Sequence, residues 1–357
     1  MTVRAGNRKR ACRVTIPTMA TNPVLPDSTT NLVFVDVEMP GITRHKAGRG
    51  WYYRDAKGAR ITDAAEIARL NAIALPPAYT DTWYCPAPNG HILATGIDAR
   101  GRKQYRYHPQ FRARREGEKY DRTAEFGRLL PLVRKRVETD LKQPQPTCER
   151  ALASVVRLLD TTLIRIGNER YAKENGSFGA STLRMKHVSV TGTTLRLRYK
   201  AKSGKHHAMT VTDRGLARFV KKMQDLPGQH LFQYLADDGD PRPVTSCDVN
   251  AYLRETMGAD FTAKHFRTWH ASAIAFEELA ETREILGVKA LMQRVSDMLG
   301  NTPTVARASY VHPRVLDLVD VQEDWRAGLV LPRRTRWLSR HERGLIELLD
   351  EQTRPEG

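Results

Sequence analysis

Hydrophobic positions change their period near residue 112. From 31 to about 111 the apolar residues come in short runs, Leu32-Val33-Phe34-Val35, Trp51-Tyr52-Tyr53 and Tyr105-Arg106-Tyr107, broken by Gly, Pro and Asp clusters. Such runs between turn residues predict strands, with one short helix over about 63–72. Beyond 112 a spacing of three to four takes over: Leu129, Leu132 and Val133 open a helical stripe, and Leu152, Val155, Val156, Leu159, Leu163 and Ile166 carry one on. Later stripes predict helices around 216–223, 249–257, 271–279 and 285–299, the last stopped by Gly300. Trp325 and a helix-like stretch over 337–349 complete the packing. One β island interrupts the helices, over 183–190, 195–199 and 208–211, with Thr191-Gly192-Thr193 and Lys202-Ser203-Gly204 as its turns. The expected fold class is α+β: a β-rich domain over 31–112 and a mainly α-helical domain over 113–357 that carries a three-stranded antiparallel sheet.

Charge narrows the partner. Lys and Arg number 58 against 40 Asp and Glu, a net charge of +18 over 357 residues, so a polyanion leads, nucleic acid before an anionic membrane. Residues 1–30 hold Arg4, Arg8, Lys9, Arg10 and Arg13 and no acid before Asp27, which reads as a disordered basic tail. No run approaches the ~20 apolar residues of a membrane span, and the start has no apolar core of a secretory signal, so a cytoplasmic protein is expected. Cys12, Cys85, Cys148 and Cys247 lie far apart, without the pairing of a zinc site or a disulfide framework. Gly204-Lys205 is followed by His206 and lacks the upstream glycine of a phosphate-binding loop. No metal and no nucleotide cofactor is therefore expected.

Four runs in the helical region carry chemistry. The first is Ile164-Arg165-Ile166-Gly167-Asn168-Glu169-Arg170-Tyr171 and the second Tyr199-Lys200-Ala201-Lys202-Ser203-Gly204-Lys205. The third is Lys264-His265-Phe266-Arg267-Thr268-Trp269, and the fourth Leu299-Gly300-Asn301-Thr302-Pro303, ending at Ser309-Tyr310. An arginine suits a phosphate because its planar fork gives two hydrogen bonds and keeps its charge. A lysine on a turn can donate a proton once its pKa is lowered. In the fourth run Gly300 ends one helix, Thr302 and Pro303 start the next as N-cap and first residue, and Tyr310 follows about two turns later. Each feature alone has a bland reading: a salt-bridged arginine, a solvated turn, a helix-start basic cluster, a packed tyrosine.

Together, in this order, the runs resemble the signature segments of type IB DNA topoisomerases, the poxviral and bacterial branch especially. The resemblance implies that Tyr310 is the nucleophile, that Arg165 and Arg267 are the two catalytic arginines, and that the catalytic lysine falls on Lys202, with Lys205 as runner-up. The usual Gly-Lys-Asp around that lysine is here Ala201-Lys202-Ser203. Asn301 stands where poxviral and eukaryotic members have histidine and some bacterial ones asparagine; an amide is neither acid nor base, so its expected task is a hydrogen bond to a non-bridging phosphate oxygen. A tyrosine hydroxyl with an ordinary pKa near 10 needs such cations to attack at neutral pH. The implied reaction is relaxation of supercoiled duplex DNA through a 3′-phosphotyrosyl link and a free 5′-hydroxyl, without ATP or metal.

A further run, from Gly96 through Arg102-Lys103-Gln104-Tyr105-Arg106-Tyr107 to His108, resembles the family's N-terminal domain, where the positions of Gln104, Tyr105 and Tyr107 face DNA. Arg102 and Lys103 suit phosphates. Arg170, Tyr171 and Lys205 are further candidate DNA contacts. The resemblance implies a bilobed clamp, monomeric, around double-stranded DNA of the bacterial nucleoid. Two alternatives are a tyrosine site-specific recombinase, which shares the catalytic set but usually has a His-x-x-Arg segment and a helical N-terminal domain, and a non-enzymatic basic architectural protein, for which charge alone would suffice.

Overall fold

The computed structural model describes residues 31–48 and 50–351; the tail expected over 1–30 lies outside them. The chain divides after Lys119 into two compact units, each with its own apolar core. The fold is α+β, as expected.

In the first unit β1 (Thr43–Ala47) and β2 (Gly50–Arg54) form a hairpin, and α1 (Ala64–Ala72) follows, its first turn capped by the Asp63 carboxylate on Ala65 N–H. Three strands, β3 (Thr80–Tyr84), β4 (Ile92–Ile97) and β5 (Lys103–Tyr107), make an antiparallel sheet in that order. Ile42, Tyr53, Leu70, Leu75, Tyr84 and Ala94 form the core, so β4 is buried while β5 lies largely exposed at the edge. The strand expected at Leu32-Val33-Phe34-Val35 is absent. Its backbone meets only the turn at 89–91, through Val33 N–H to Asn89 C=O and His91 N–H to Val33 C=O, too short a partner for a ladder. Helix α2 (Pro109–Asp121) comes next.

The second unit is built on α3 (Thr123–Leu141), α4 (Cys148–Thr162) and, later, α8 (Ala263–Glu281). Helix α4 stops at Thr162, short of the predicted stripe: Leu163 turns left-handed at φ +56°. Leu163 and Ile164 still reach the core, which explains why the periodicity ran on past the helix. Short α5 (Glu169–Asn175) follows, then two single turns of 3₁₀ helix over 180–182 and 185–187 where part of a strand was expected. The sheet proper is β6 (Val188–Thr191), β7 (Thr194–Lys200) and β8 (His206–Thr212), antiparallel throughout, with Tyr199 opposite His207. Its inward row is Leu195, Leu197, Tyr199 and Val211.

Helix α6 (Arg214–Gln224), the small pair β9 (Gln233–Leu235) and β10 (Pro241–Pro243), and α7 (Ser246–Met257) lead to α8. Then come α9 (Val288–Leu299), α10 (Pro303–Ser309), α11 (Pro313–Asp317), α12 (Gln322–Gly328) and α13 (Arg340–Asp350). Buried Phe266, Trp269 and Phe276 anchor α8 in the core. A charged knot fixes it further. Arg134 of α3 bonds Asp160 of α4 at 2.9 Å and Glu342 of α13 at 2.7 Å, while His270 and Trp269 of α8 meet Asp160 and Glu342 at 2.9 and 3.2 Å. Burial opposes all three charges, yet the His270 hydrogen bond and then Arg134 hold Asp160, and Arg134 above all holds Glu342, below the usual carboxylate range. Removing one member of so buried a set costs about 3–5 kcal/mol.

Candidate active site

Tyr310, Arg165, Arg267 and Asn301 come together in the second unit, from segments fixed independently. Arg165 lies on an irregular stretch bonded to the first 3₁₀ turn: Ala180 N–H donates to Arg165 C=O at 2.8 Å and Ser181 N–H to Ile166 C=O at 2.7 Å. That closeness requires Gly167 and Gly179. Gly167 has φ +91°, and a Cβ on Gly179 would lie 2.5 Å from the Arg165 carbonyl oxygen. The guanidinium of Arg165 donates to Asn301 Oδ1.

Arg267 sits in the first half of α8 and is 4% exposed. It donates to the carbonyl of Leu163 and, at 2.9 Å, to that of Leu299, the last residue of α9. The left-handed turn at Leu163 aims the first of these carbonyls inward; a non-glycine residue held there costs about 1–3 kcal/mol. Neither Arg165 nor Arg267 has a carboxylate partner among the described residues, and the Nε of Arg267 and Nδ2 of Asn301 are buried without one. Burial and the Arg165 charge both depress the pKa of Arg267, with Tyr310 and Tyr199 opposing. Two neighbouring cations without a carboxylate partner, one of them with a buried donor unused, suit the binding of an anion.

Helix α9 ends at Gly300 with φ +63°, Thr302 caps α10 by accepting from Val305 N–H, and Pro303 is its first residue. Tyr310 closes α10, its N–H bonded to Ala306 C=O at 3.0 Å. Fully buried Ser272 of α8 ties down the backbone just after it, donating to its own helix at Thr268 C=O, 2.9 Å, with Tyr310 C=O a longer 3.4 Å away, and accepting from His312 N–H at 2.9 Å. The Arg267 guanidinium lies over the Tyr310 ring, 4.9 Å from its centre. Burial pushes the phenol pKa up, but the charges and hydrogen bonds of Arg267 and then Arg165 outweigh it, leaving the phenol more acidic than usual.

The β7–β8 tip brings Lys202 to the same neighbourhood. Lys202, exposed, lines a cavity of about 410 Å³ together with Arg165, Arg267, Tyr199 and His207, and with Arg170 and Tyr171 of α5. Lys205, also exposed, does not line it. Arg170 pairs with Glu174 at 2.7 Å. Helix α5 is tied down by Glu169, which accepts from Arg184 at 2.5 Å and faces His230 at 3.4 Å.

His207 is the site residue the sequence reading missed. It stands beside three candidate groups, and only its inward register on β8 would have revealed it. In the first unit, Asp98 organises β5's start: Arg102 and Gln104 donate to it at 2.9 and 3.0 Å. Lys103 pairs with Glu38 at 2.9 Å. Tyr105 and Tyr107, 41% and 40% exposed, stack with centres 6.0 Å apart. Among the described residues no group of three or more His, Cys, Asp or Glu side chains could hold a metal ion, and no helix is long and apolar enough to cross a membrane.

A pair of arginines without carboxylate partners among the described residues, the buried one of the two lying over a tyrosine, is the equipment of a phosphodiester-handling protein, and comparison with known proteins makes this specific. Residues 108–319 match the family model of the eukaryotic DNA topoisomerase I catalytic core, and residues 50–98 that of the bacterial DNA topoisomerase IB N-terminal domain. The chain belongs to the type IB DNA topoisomerases, isomerases whose substrate is duplex DNA. It is 32% identical over 294 residues to the DNA topoisomerase 1B of Acanthamoeba polyphaga mimivirus, covering 78% of this chain and 88% of that protein. It is 22% identical over 251 residues to the DNA topoisomerase 1B of vaccinia virus strain Copenhagen, covering 68% and 76%. To the DNA topoisomerase 1 of Mycosarcoma maydis it is 26% identical over 192 residues, 49% of this chain and 18% of that protein. The recombinase and architectural alternatives give way to this family.

Proposed function

We propose that the protein relaxes supercoiled DNA by cutting one strand with Tyr310 and resealing it, without metal or nucleotide. The observation that carries this reading is the Arg267 guanidinium over the Tyr310 ring, 4.9 Å from its centre, with Arg165 bonded to Asn301 nearby; the two charges leave the phenol more acidic than usual. Tyr310 gives up its phenolic proton to solvent, and its oxygen attacks a backbone phosphorus. A phosphotyrosyl bond forms to the 3′ side, the bond to the 5′ oxygen breaks, and that oxygen takes a proton to leave as a hydroxyl. Arg165 and Arg267 stabilise the charge on the non-bridging oxygens. Because Oδ1 of Asn301 accepts from Arg165, its unpartnered Nδ2 is left to donate to one of those oxygens. Lys202 is assigned as the proton donor over Lys205, since it alone of the two lines the cavity with both arginines. In the reverse step the 5′-hydroxyl attacks the ester, which has kept the energy of the broken bond, so no ATP is needed.

The domain over 31–112 contributes Arg102, Lys103, Gln104, Tyr105 and Tyr107 to DNA binding, and Arg170, Tyr171 and Lys205 contribute from the catalytic domain, 113–357. The five acting residues all come from one chain, which supports a monomeric enzyme. A duplex-DNA substrate fits action in the cytoplasm on the nucleoid. Relaxation of supercoiled plasmid in EDTA tests the reading. The wild type should relax the plasmid and leave a 3′-linked adduct in denaturant, and Tyr310→Phe should bind DNA and do neither. An adduct surviving in Tyr310→Phe would move the nucleophile elsewhere.

A further inference from the structure

We infer that His207 is a positioning residue that fastens the Lys202 tip to the turn that bears Asn301 and leads into the helix closed by Tyr310, so that proton donor and nucleophile keep one register. The inference rests on the assignment of Lys202 as proton donor. His207 is the first inward-facing residue of β8 after the tip. Its ring packs on Gly300 so closely that a Cβ there would lie 2.1 Å from the imidazole Cε1. On its other side it meets the Tyr199 ring, its partner across the strand pair, at 5.7 Å. Both residues line the cavity with Lys202, Arg165 and Arg267. Among the described contacts His207 thus joins the sheet that carries the Lys202 tip to the end of α9, beside the cavity that the arginine pair also lines. Burial, and after it the charges of Arg165, Arg267 and Lys205, disfavour protonation of the ring, as suits a group that packs rather than one that carries charge.

The chemistry of the leaving group separates this role from others. An alkoxide leaving from phosphorus needs a proton, whereas a thiolate, with a pKa several units lower, leaves without one. Cleavage is therefore measured under single-turnover conditions on two duplexes, identical except that the 5′-bridging atom of the scissile phosphate is oxygen in one and sulfur in the other. His207→Ala should cut the oxygen duplex about 10- to 100-fold more slowly, in the range of general-acid contributions, and cut the sulfur duplex at close to the wild-type rate. His207→Phe, which restores a flat ring against Gly300, should recover most of the oxygen rate. Equal losses on both duplexes, or no loss on either, would overturn the inference, and so would His207→Phe behaving like His207→Ala. Should His207→Ala fail to fold, the oxygen-to-sulfur ratio of His207→Phe and of His207→Gln still decides: the inference requires a wild-type ratio in the first and a lowered oxygen rate in the second. Lys202→Ala on the same pair isolates the underlying assignment. If sulfur does not rescue that variant, the proton donor is not Lys202 and the assignment falls, whatever His207 does.

Discussion

The two arginines proposed to act on the phosphate and the basic strand β5 use the same charge in opposite ways. Arg267 is buried, is held by two carbonyl oxygens, and has no carboxylate partner among the described residues; Arg165 is held by an amide. On β5 and just before it two accessible cations face acids, Arg102 facing Asp98 and Lys103 facing Glu38, while Arg106 donates to the Ala74 carbonyl at 3.1 Å. Carbonyl and amide oxygens orient a guanidinium without neutralising it, so the charge stays available for a phosphate. A pair on the surface, such as Lys103 with Glu38, lets go cheaply, because exposed pairs are worth only about 0–1 kcal/mol, whereas the Asp98 carboxylate that holds Arg102 is mostly covered. The first arrangement suits a transition state that must meet its charges already in place. The second suits a duplex bound and released many times.

The difference is sharpest at Arg267. Arg267→Ala should lower the cleavage rate by about 10³-fold or more, the scale of losing a transition-state arginine. Arg267→Lys should recover little, since one ammonium cannot bond Leu163 C=O and Leu299 C=O and still face the phosphate. Affinity of either variant for duplex should change far less than the rate. A parallel fall in binding and rate would erase the distinction between the two regions.

Arg165 tests the same idea through pH. Because Arg165 helps lower the Tyr310 pKa, its removal must raise it. On the sulfur-bridged duplex, where proton donation is not needed, the wild-type cleavage rate should rise with pH and level off below pH 10, the ordinary tyrosine value. Arg165→Ala should show the same rise displaced to higher pH, on top of a lower plateau. An unmoved inflection would show that the phenol does not sense Arg165. Asn301→Ala ranks below both arginines: it removes one hydrogen bond to a charged group, about 1.5–3 kcal/mol or roughly 10- to 100-fold in rate, and frees the Arg165 guanidinium to wander.

The parts of this site legible in the sequence are those built by local rules. Gly300, Thr302 and Pro303 spell a helix stop and a helix start, and the structure has both, with Tyr310 closing the second helix. The α+β class followed from the change of period near residue 112. What stayed hidden depends on long-range contacts. Leu163 reads as one more helical apolar position, but the helix ends before it and its carbonyl turns to Arg267, 104 residues away in sequence. Leu32 to Val35 look like a strand by composition and lack a neighbour long enough to pair with. His207 is one of two adjacent histidines; which of them faces the site is decided by the register of β7 and β8, and strand register carries no mark in a single histidine.

The smallest effect belongs to β5, and its sign is the informative part. Asp98 accepts from Arg102 and Gln104, and the Arg102 bond above all draws its pKa down to about 2. At neutral pH it is a carboxylate standing among proposed phosphate contacts. Asp98→Asn keeps an oxygen to accept from the Arg100 and Arg102 N–H groups, both of which bond Oδ1 in the wild type, so the turn survives while the negative charge goes. Duplex binding by Asp98→Asn in a Tyr310→Phe background should tighten a few-fold and, with Arg102 released to a phosphate, gain about one unit of salt-dependence slope. Arg102→Ala should do the reverse, weakening binding evenly across sequences. The rate of cleavage within the bound complex should be unchanged in both. Were Asp98→Asn instead to slow that step, the β5 cations would be part of the chemistry, and the division between charges that bind and charges that catalyse would fail at its exposed end.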